Sequence, residues 1–278
     1  MTTITLLHPG SMGAAVGAQA VAAGHRVLWV PEGRSQRTYE RAEFAGLTSV
    51  PALGEALDVS SVAISVCPPA AAGDVAGKVN KHGFTGLYVE ANAISPQRVQ
   101  HMAADMAAHV LDGAITGPPP PGLRTTRLYL AGDPEAAEQV GKLFAGTAVE
   151  VRSAGETIGA ASALKMAFAT FQRPARTLAA LAYALADAHQ VTDLLLDEAA
   201  RMPSEILSDP DYLPSVAARS WRWAPEMGEV AEALRAAELP TDLAEATAAV
   251  MRRWEPDKDR FDMPLAEALL HLKGPTGT

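Results

Sequence analysis

Residues 4–25 read ITLLHPGSMGAAVGAQAVAAGH. Ile4, Leu6 and Leu7 form a short apolar run of the kind a buried strand supplies. His8-Pro9-Gly10-Ser11-Met12-Gly13 breaks that run, an Ala/Val-rich helix follows, and Gly24 provides a helix C-terminus. Arg26-Val27-Leu28-Trp29-Val30 then reads as a second strand. Strand, glycine turn, helix and strand make the opening unit of a dinucleotide-binding fold. Small residues at Gly10, Gly13 and Gly17 would let backbone amides approach a pyrophosphate, which the positive end of the helix would hold. The first glycine of G-x-G-x-x-G is replaced by His8. The G-x-x-G that remains also occurs in turns that are purely structural.

The whole chain sets bounds on that reading. Its 278 residues suit one large domain or two ordinary ones, and a hydrophobic fraction of 48% supports a sizeable core. A net charge of -9 gives no electrostatic support to nucleic-acid binding. The single Cys67 excludes an intrachain disulfide framework and fits a reducing compartment. No basic-apolar-small leader and no apolar stretch of membrane-spanning length is apparent, so a soluble, cytoplasmic protein with no membrane partner is expected. The seven histidines show no metal-ligand spacing, and no metal is expected.

The loop after the second strand, Pro31-Glu32-Gly33-Arg34-Ser35-Gln36-Arg37, decides which dinucleotide is read. An acidic residue ending the strand would bind the ribose hydroxyls of NAD. Pro31 stands there instead, and Glu32 is the nearest carboxylate. Arg34, Ser35 and Arg37 together suit a 2′-phosphate, which a guanidinium binds as a planar fork. NADP is therefore expected ahead of NAD; the plainer alternative is a solvated basic turn capped by Ser35.

Strands and helices alternate through the first half. A short helix is expected over 36–46, strands at Val62–Val66 and Leu87–Glu90, and between them a helix from Ala70 to Lys81 that starts behind Pro68-Pro69. Ser95 caps a helix with Pro96 at its first position. Val110-Leu111 leads through Asp112 to Thr116-Gly117 and four prolines, Pro118 to Pro121. A strand at Arg127–Leu130, a helix from Pro134 to Phe144 and a strand near Val149–Val151 close the half. The alternation predicts a mostly parallel, doubly wound sheet. Beyond Gly155 no strand is convincing. One long helix is expected over Thr157–His189, with Pro174 as a kink, and further helices at 191–201, 212–220, 225–237, 241–254 and 262–271. The expectation is thus an α/β Rossmann-type domain over 1–154 and an all-α domain over 155–278, joined by the long helix.

Lys165 sits in GAASALKMAF, on an otherwise small and apolar helix. A lone lysine there is either at a snorkelling edge or in a functional pocket.

Six segments in this order, HPGSMG, the GRS loop, VEANAISP, LDGAITGPP, GAASALKMA and RWAPEMGEVAEAL, resemble the β-hydroxyacid dehydrogenase superfamily. That superfamily includes 3-hydroxyisobutyrate and 6-phosphogluconate dehydrogenases and, more distantly, the imine reductases. The resemblance covers essentially the whole chain and looks closest to the branch with a DUF1932-type C-terminal domain. It implies that Gly10, Ser11, Met12 and Gly13 contact the cofactor pyrophosphate and that Arg34 and Ser35 bind the 2′-phosphate. It implies that Val66, Cys67 and Pro68 pass beside the nicotinamide ribose, with Asn92 near the nicotinamide. Thr116 and Gly117 fall on the family's substrate-binding turn, where Pro118 replaces a glycine and removes an amide donor. Lys165 falls on the catalytic lysine. Partly desolvated beside a nicotinamide, it would have a lowered pKa suited to general acid/base work. The asparagine usual one turn later is absent, with Phe168 and Ala169 in its place, which favours a more apolar substrate. The family also implies a homodimer through the helical domain, with a cleft near residues 92, 116 and 165.

Three functions are compatible with these residues. One is an NADP-dependent oxidoreductase interconverting a hydroxyl and a carbonyl on a small acid-like substrate. The second is an NADPH-dependent imine reductase. The third is a catalytically silent dinucleotide-binding protein.

Overall fold

The computed structural model describes residues 1–122, 125–168, 186, 189–199, 201, 213–236 and 238–272. The chain separates into two compact units, Met1–Ala169 and Thr170–Thr278. Lys165 belongs to the first.

The first unit is built on an eight-stranded sheet of order β3-β2-β1-β4-β5-β6-β7-β8. β1 (Thr3–Leu6), α1 (Ser11–Ala22) and β2 (Arg26–Trp29) form the opening unit expected from residues 4–25. α2 (Gln36–Phe44), β3 (Thr48–Ser49), α3 (Leu53–Asp58) and β4 (Val62–Ser65) follow. Then come α4 (Ala72–His82), β5 (Leu87–Glu90), α5 (Pro96–Asp105), β6 (His109–Thr116), β7 (Thr126–Ala131), α6 (Pro134–Leu143) and β8 (Val149–Ser153). β1, β4 and β5 lie between parallel neighbours and are almost wholly buried, as strands covered on both faces must be. The expected doubly wound sheet is therefore present. Its one antiparallel pairing, β6 with β7, follows from loop length: residues 117–125 are too few for a crossover helix.

Two elements carried too little pattern to be expected. β3 is two exposed residues, and α3 is six residues long. β6 runs through Gly113 to Thr116, farther than Val110-Leu111 suggests. The strands approach closely at Gly113, where a Cβ would lie 3.1 Å from the Glu90 carbonyl oxygen on β5.

After β8 a helix, α7, occupies residues 160–168, three residues later than the expected start at Thr157. The rest of the expected long helix, Pro174 included, lies outside the described residues apart from Ala186, which is helical.

In the second unit the described elements are helices and turns: α8 (Thr192–Ala199), α9 (Leu213–Ala236), α10 (Asp242–Met251), a 3₁₀ turn (Arg252–Asp257) and α11 (Leu265–His271). The two helices expected at 212–220 and 225–237 are one, with Pro225 inside α9. An interior proline usually costs a helix about 3 kcal/mol, yet α9 continues through it, and Ala217, Ala218, Ser220 and Ala224 on it are buried. Ala217, Trp254, Met263 and Ala268 form the local core, and the Trp254 indole donates to the Ala268 carbonyl at 2.7 Å. Among the described residues no helix is long and apolar enough to cross a membrane.

Candidate functional site

The glycine turn is shaped first by packing. Gly10 caps α1 with extended backbone (φ -69°, ψ -171°), and its amide donates to the His8 carbonyl at 2.9 Å. A Cβ on Gly13 would lie 2.2 Å from that same oxygen, so α1 can pack against the turn only with glycine there. A Cβ on Gly17 would lie 3.0 Å from Leu47 and 3.1 Å from Leu6, which makes Gly17 the close helix-to-strand contact. No side chain caps α1, and its first turn holds no acid. The amides at Ser11, Met12 and Gly13 thus open a helix whose positive end has no counter-charge of its own.

At the carboxyl ends of β4 and β5 lies a buried polar network. The Asn92 carboxamide donates to Ser65 Oγ at 2.8 Å, to Glu90 Oε1 and to Cys67 Sγ at 3.4 Å. Its oxygen accepts from the Cys67 amide at 2.5 Å. Glu90 also accepts from the Asn92 amide at 3.2 Å and from the Tyr88 hydroxyl at 3.1 Å. Glu90 is fully buried, and burial pushes its carboxyl up to about 7, with the Asp112 charge adding to the rise. Burial likewise pushes up the Cys67 thiol and the Tyr88 phenol. Asn92 is therefore spent mainly on locking β4 to β5.

Asp112, beside Glu90 in the β5–β6 register, is also fully buried. Its carboxylate accepts from the Gly159 amide at 2.9 Å, the Ser162 amide at 3.0 Å and the Ser162 hydroxyl at 2.6 Å. It is the N-terminal cap of α7, supplied from a strand some fifty residues earlier, and its charge faces the positive helix end. From the other side Gln100 Nε2 donates to the Ile158 carbonyl at 2.9 Å. One turn beyond this clamp, Lys165 Nζ donates to the Ile115 carbonyl at 2.6 Å. β6 therefore fixes both the start of α7 and the half-buried lysine it carries.

A cavity of about 190 Å³ opens among these groups. Met12 from the glycine turn, Val66 and Cys67 from the end of β4, Asn92, and Lys165 line it, together with Pro69, Ala91, Ala93 and Ile115. Five of the residues expected at the site are thus brought together. Pro68 is exposed and does not line it; Pro69 does. Thr116 and Gly117 lie just past Ile115 without lining it. The Thr116 hydroxyl accepts from Arg127 Nε at 3.4 Å, and Gly117 has φ +100°, where a Cβ would meet the Thr125 carbonyl at 2.7 Å.

A second cavity, of about 160 Å³, lies at the ends of β1 and β2. Glu32, Arg34 and Lys78 supply its charged lining. Arg34 Nη1 is 2.9 Å from His8 Nδ1. Ser35 is exposed and is the N-cap residue of α2, but its hydroxyl faces Thr38 Oγ1 at 3.1 Å and makes no bond to the helix amides. Glu90, Asp112 and Lys78 were not expected at a site. The legible signal was an acid inside each of two apolar strands, LYVE and VLDGAI. Among the described residues no group of three or more His, Cys, Asp or Glu could hold a metal ion.

Residues 186–254 match a domain of unknown function, DUF1932. No curated protein matches the chain. Among solved structures, a conserved protein of unknown function with structural similarity to 3-hydroxyacid dehydrogenases is 25% identical, with 98% of this chain and 100% of that chain covered and a TM-score of 0.58. An imine reductase variant from Myxococcus stipitatus in complex with NAD+ is 19% identical over 97% and 99% of the chains, at a TM-score of 0.73. A reductive aminase from Aspergillus terreus in complex with NADPH and ethyl levulinate is 15% identical over 98% and 100%, also at 0.73. The shared fold and the DUF1932 segment are consistent with the β-hydroxyacid dehydrogenase superfamily.

Proposed function

We propose that this chain is an NADP-dependent oxidoreductase that interconverts a hydroxyl and a carbonyl on a small acid-like substrate, with Lys165 as general acid/base. The observation that carries the reading is one cavity lined by the glycine-turn residue Met12 and by Lys165. The residues fit a dinucleotide. Gly10, Ser11, Met12 and Gly13 open an uncapped helix N-terminus suited to a pyrophosphate. Arg34, with Ser35 beside it, offers a guanidinium to a 2′-phosphate, and Lys78 adds a second cation. Val66, Cys67 and Asn92 would flank the nicotinamide end, with Thr116 and Gly117 toward the substrate. When bound, the cofactor supplies or accepts the hydride. Lys165 gives a proton to the developing alkoxide in reduction and takes one from the hydroxyl in oxidation. Ile115 and Asp112 hold the lysine in place meanwhile. We read the protein as a cytoplasmic homodimer formed through its helical part; a monomer in sedimentation at micromolar concentration contradicts that.

A second reading, reduction of a C=N bond, is favoured by Asn92. Its carboxamide is engaged by Ser65, Cys67 and Glu90, so the cavity presents Lys165 amid mostly apolar side chains. The reductive aminase and imine reductase similarities support the same reading. Parallel panels of hydroxyacids and cyclic imines, each with NADPH or NADP+, separate the two. In either case Lys165→Met loses turnover while retaining NADPH, and unchanged turnover overturns the role given to Lys165.

A further inference from the structure

We propose that His8, in place of the fingerprint's first glycine, is a cofactor-specificity residue: its imidazole holds the Arg34 guanidinium beside the glycine turn and selects the phosphorylated ribose of NADP over that of NAD. The proposal rests on the reading of this chain as a nicotinamide-dinucleotide protein.

The geometry joins two loops that are 26 residues apart. Arg34 Nη1 lies 2.9 Å from His8 Nδ1. A guanidinium is a donor only, so Nδ1 must be the acceptor. That fixes the neutral tautomer, with the proton on Nε2. Burial, with the Arg34 and Arg41 charges, holds the imidazole below its ordinary pKa, in keeping with that tautomer at neutral pH. The Nε2–Cδ2 edge stands against the turn itself: a Cβ on Gly10 would lie 3.2 Å from Nε2 and 3.1 Å from Cδ2. Glycine at position 10 is therefore matched to histidine at position 8. The pair presents a guanidinium and an imidazole N–H next to the uncapped start of α1.

Arg34 is otherwise exposed. An unrestrained arginine loses rotamer freedom when it binds an anion, which weakens binding. Here the loop is already folded back. The Arg34 amide donates to the Pro31 carbonyl at 3.1 Å, Gly33 takes φ +69° to allow that turn, and the Tyr39 hydroxyl donates to the same carbonyl at 3.2 Å. His8 adds the restraint on the side chain. Glu32 lines the same cavity and is the group that would accept from an unphosphorylated ribose. With Arg34 held by His8, and with Lys78 lining the same cavity, the balance of charge there favours a phosphomonoester.

The test is a set of dissociation constants for NADPH and NADH, read by tryptophan quenching or calorimetry on the full chain. The variants are His8→Gly, His8→Asn, Arg34→Ala and the double variant His8→Gly/Arg34→Ala. His8→Gly restores the fingerprint glycine and should still weaken NADPH about tenfold, the size of one charge-assisted hydrogen bond, with NADH changed less than twofold. Arg34→Ala should weaken NADPH at least as much, and the double variant no more than Arg34→Ala alone, because the two residues act as one. His8→Asn, which keeps an acceptor near Nδ1, should recover part of the loss. Equal weakening of both dinucleotides, additive losses, or unchanged NADPH affinity in His8→Gly overturns the proposal while the cofactor reading stands. Wild-type protein that binds neither dinucleotide overturns both.

Discussion

The two cavities at the carboxyl edge of the sheet are held in different ways. Around Lys165 the supports are buried: Glu90 and Asp112 are fully enclosed, Asn92 nearly so, and their hydrogen bonds tie β4, β5, β6 and α7 together. Around Arg34 the support is a six-residue loop, residues 30–35, whose Arg34 side chain is exposed and is linked to the glycine turn through the half-buried His8. Substitutions in the two regions therefore differ in what they cost. A change at the first should cost stability as well as chemistry, because buried groups are left unpaired. A change at the second should alter recognition and leave the fold nearly untouched.

The largest effect is expected at Asp112. Asp112→Ala leaves the Gly159 and Ser162 amides and the Ser162 hydroxyl without their acceptor in a buried place. We expect a loss of about 4 kcal/mol in urea denaturation and a fall in turnover as α7 frays at its start. A loss near zero would show that α7 does not depend on the clamp.

Next is the pH dependence owed to Glu90. Below about pH 4.5 its carboxyl is protonated in folded and unfolded chains alike. Between there and about 7 the folded chain keeps a proton that the unfolded chain has released, so this group's contribution to stability falls as pH rises. The full loss, reached above pH 7, is on the order of 3 kcal/mol. Glu90→Gln should remove that slope, so the variant gains on wild type between pH 5 and pH 8. Parallel denaturation profiles across that range contradict the assignment.

The smallest effect separates two serines that look alike in sequence. Ser95 and Ser35 both precede helices, but the Ser95 side chain accepts from the Arg98 amide and Ser35 makes no such bond. Ser95→Ala should cost about 1 kcal/mol, and Ser35→Ala less than about 0.5 kcal/mol. A thermal melt of each variant checks the pair; equal losses would show that the Ser95 bond adds no stability that Ser35 lacks.

The same contrast governs what could be read from sequence. The strand-turn-helix unit, the alternation after it and the lysine in an apolar helix all follow local periodicity, and the sheet they predict is present. β3 and α3 are too short to show a period, and Pro225 signals a break where α9 is continuous. Met12, Cys67, Asn92 and Lys165 were legible as a set, and the structure brings them to one cavity. Their supports were not. Asp112 caps a helix whose first residue is 48 positions away, and His8 meets Arg34 across two loops. Such contacts depend on strand order, which no local pattern encodes.

In the proposed enzyme, chemistry at Lys165 and cofactor selection at Arg34 occupy separate places along one sheet edge. The most direct test measures NADPH affinity and turnover side by side in Lys165→Met and Arg34→Ala, on whichever substrate the panels identify. A crossed result is expected. Lys165→Met should lose at least about 100-fold in kcat with NADPH Kd within twofold of wild type. Arg34→Ala should weaken NADPH about tenfold with kcat at saturating cofactor within twofold. Undiminished turnover in Lys165→Met, or a joint loss of binding and kcat in both variants, would contradict it.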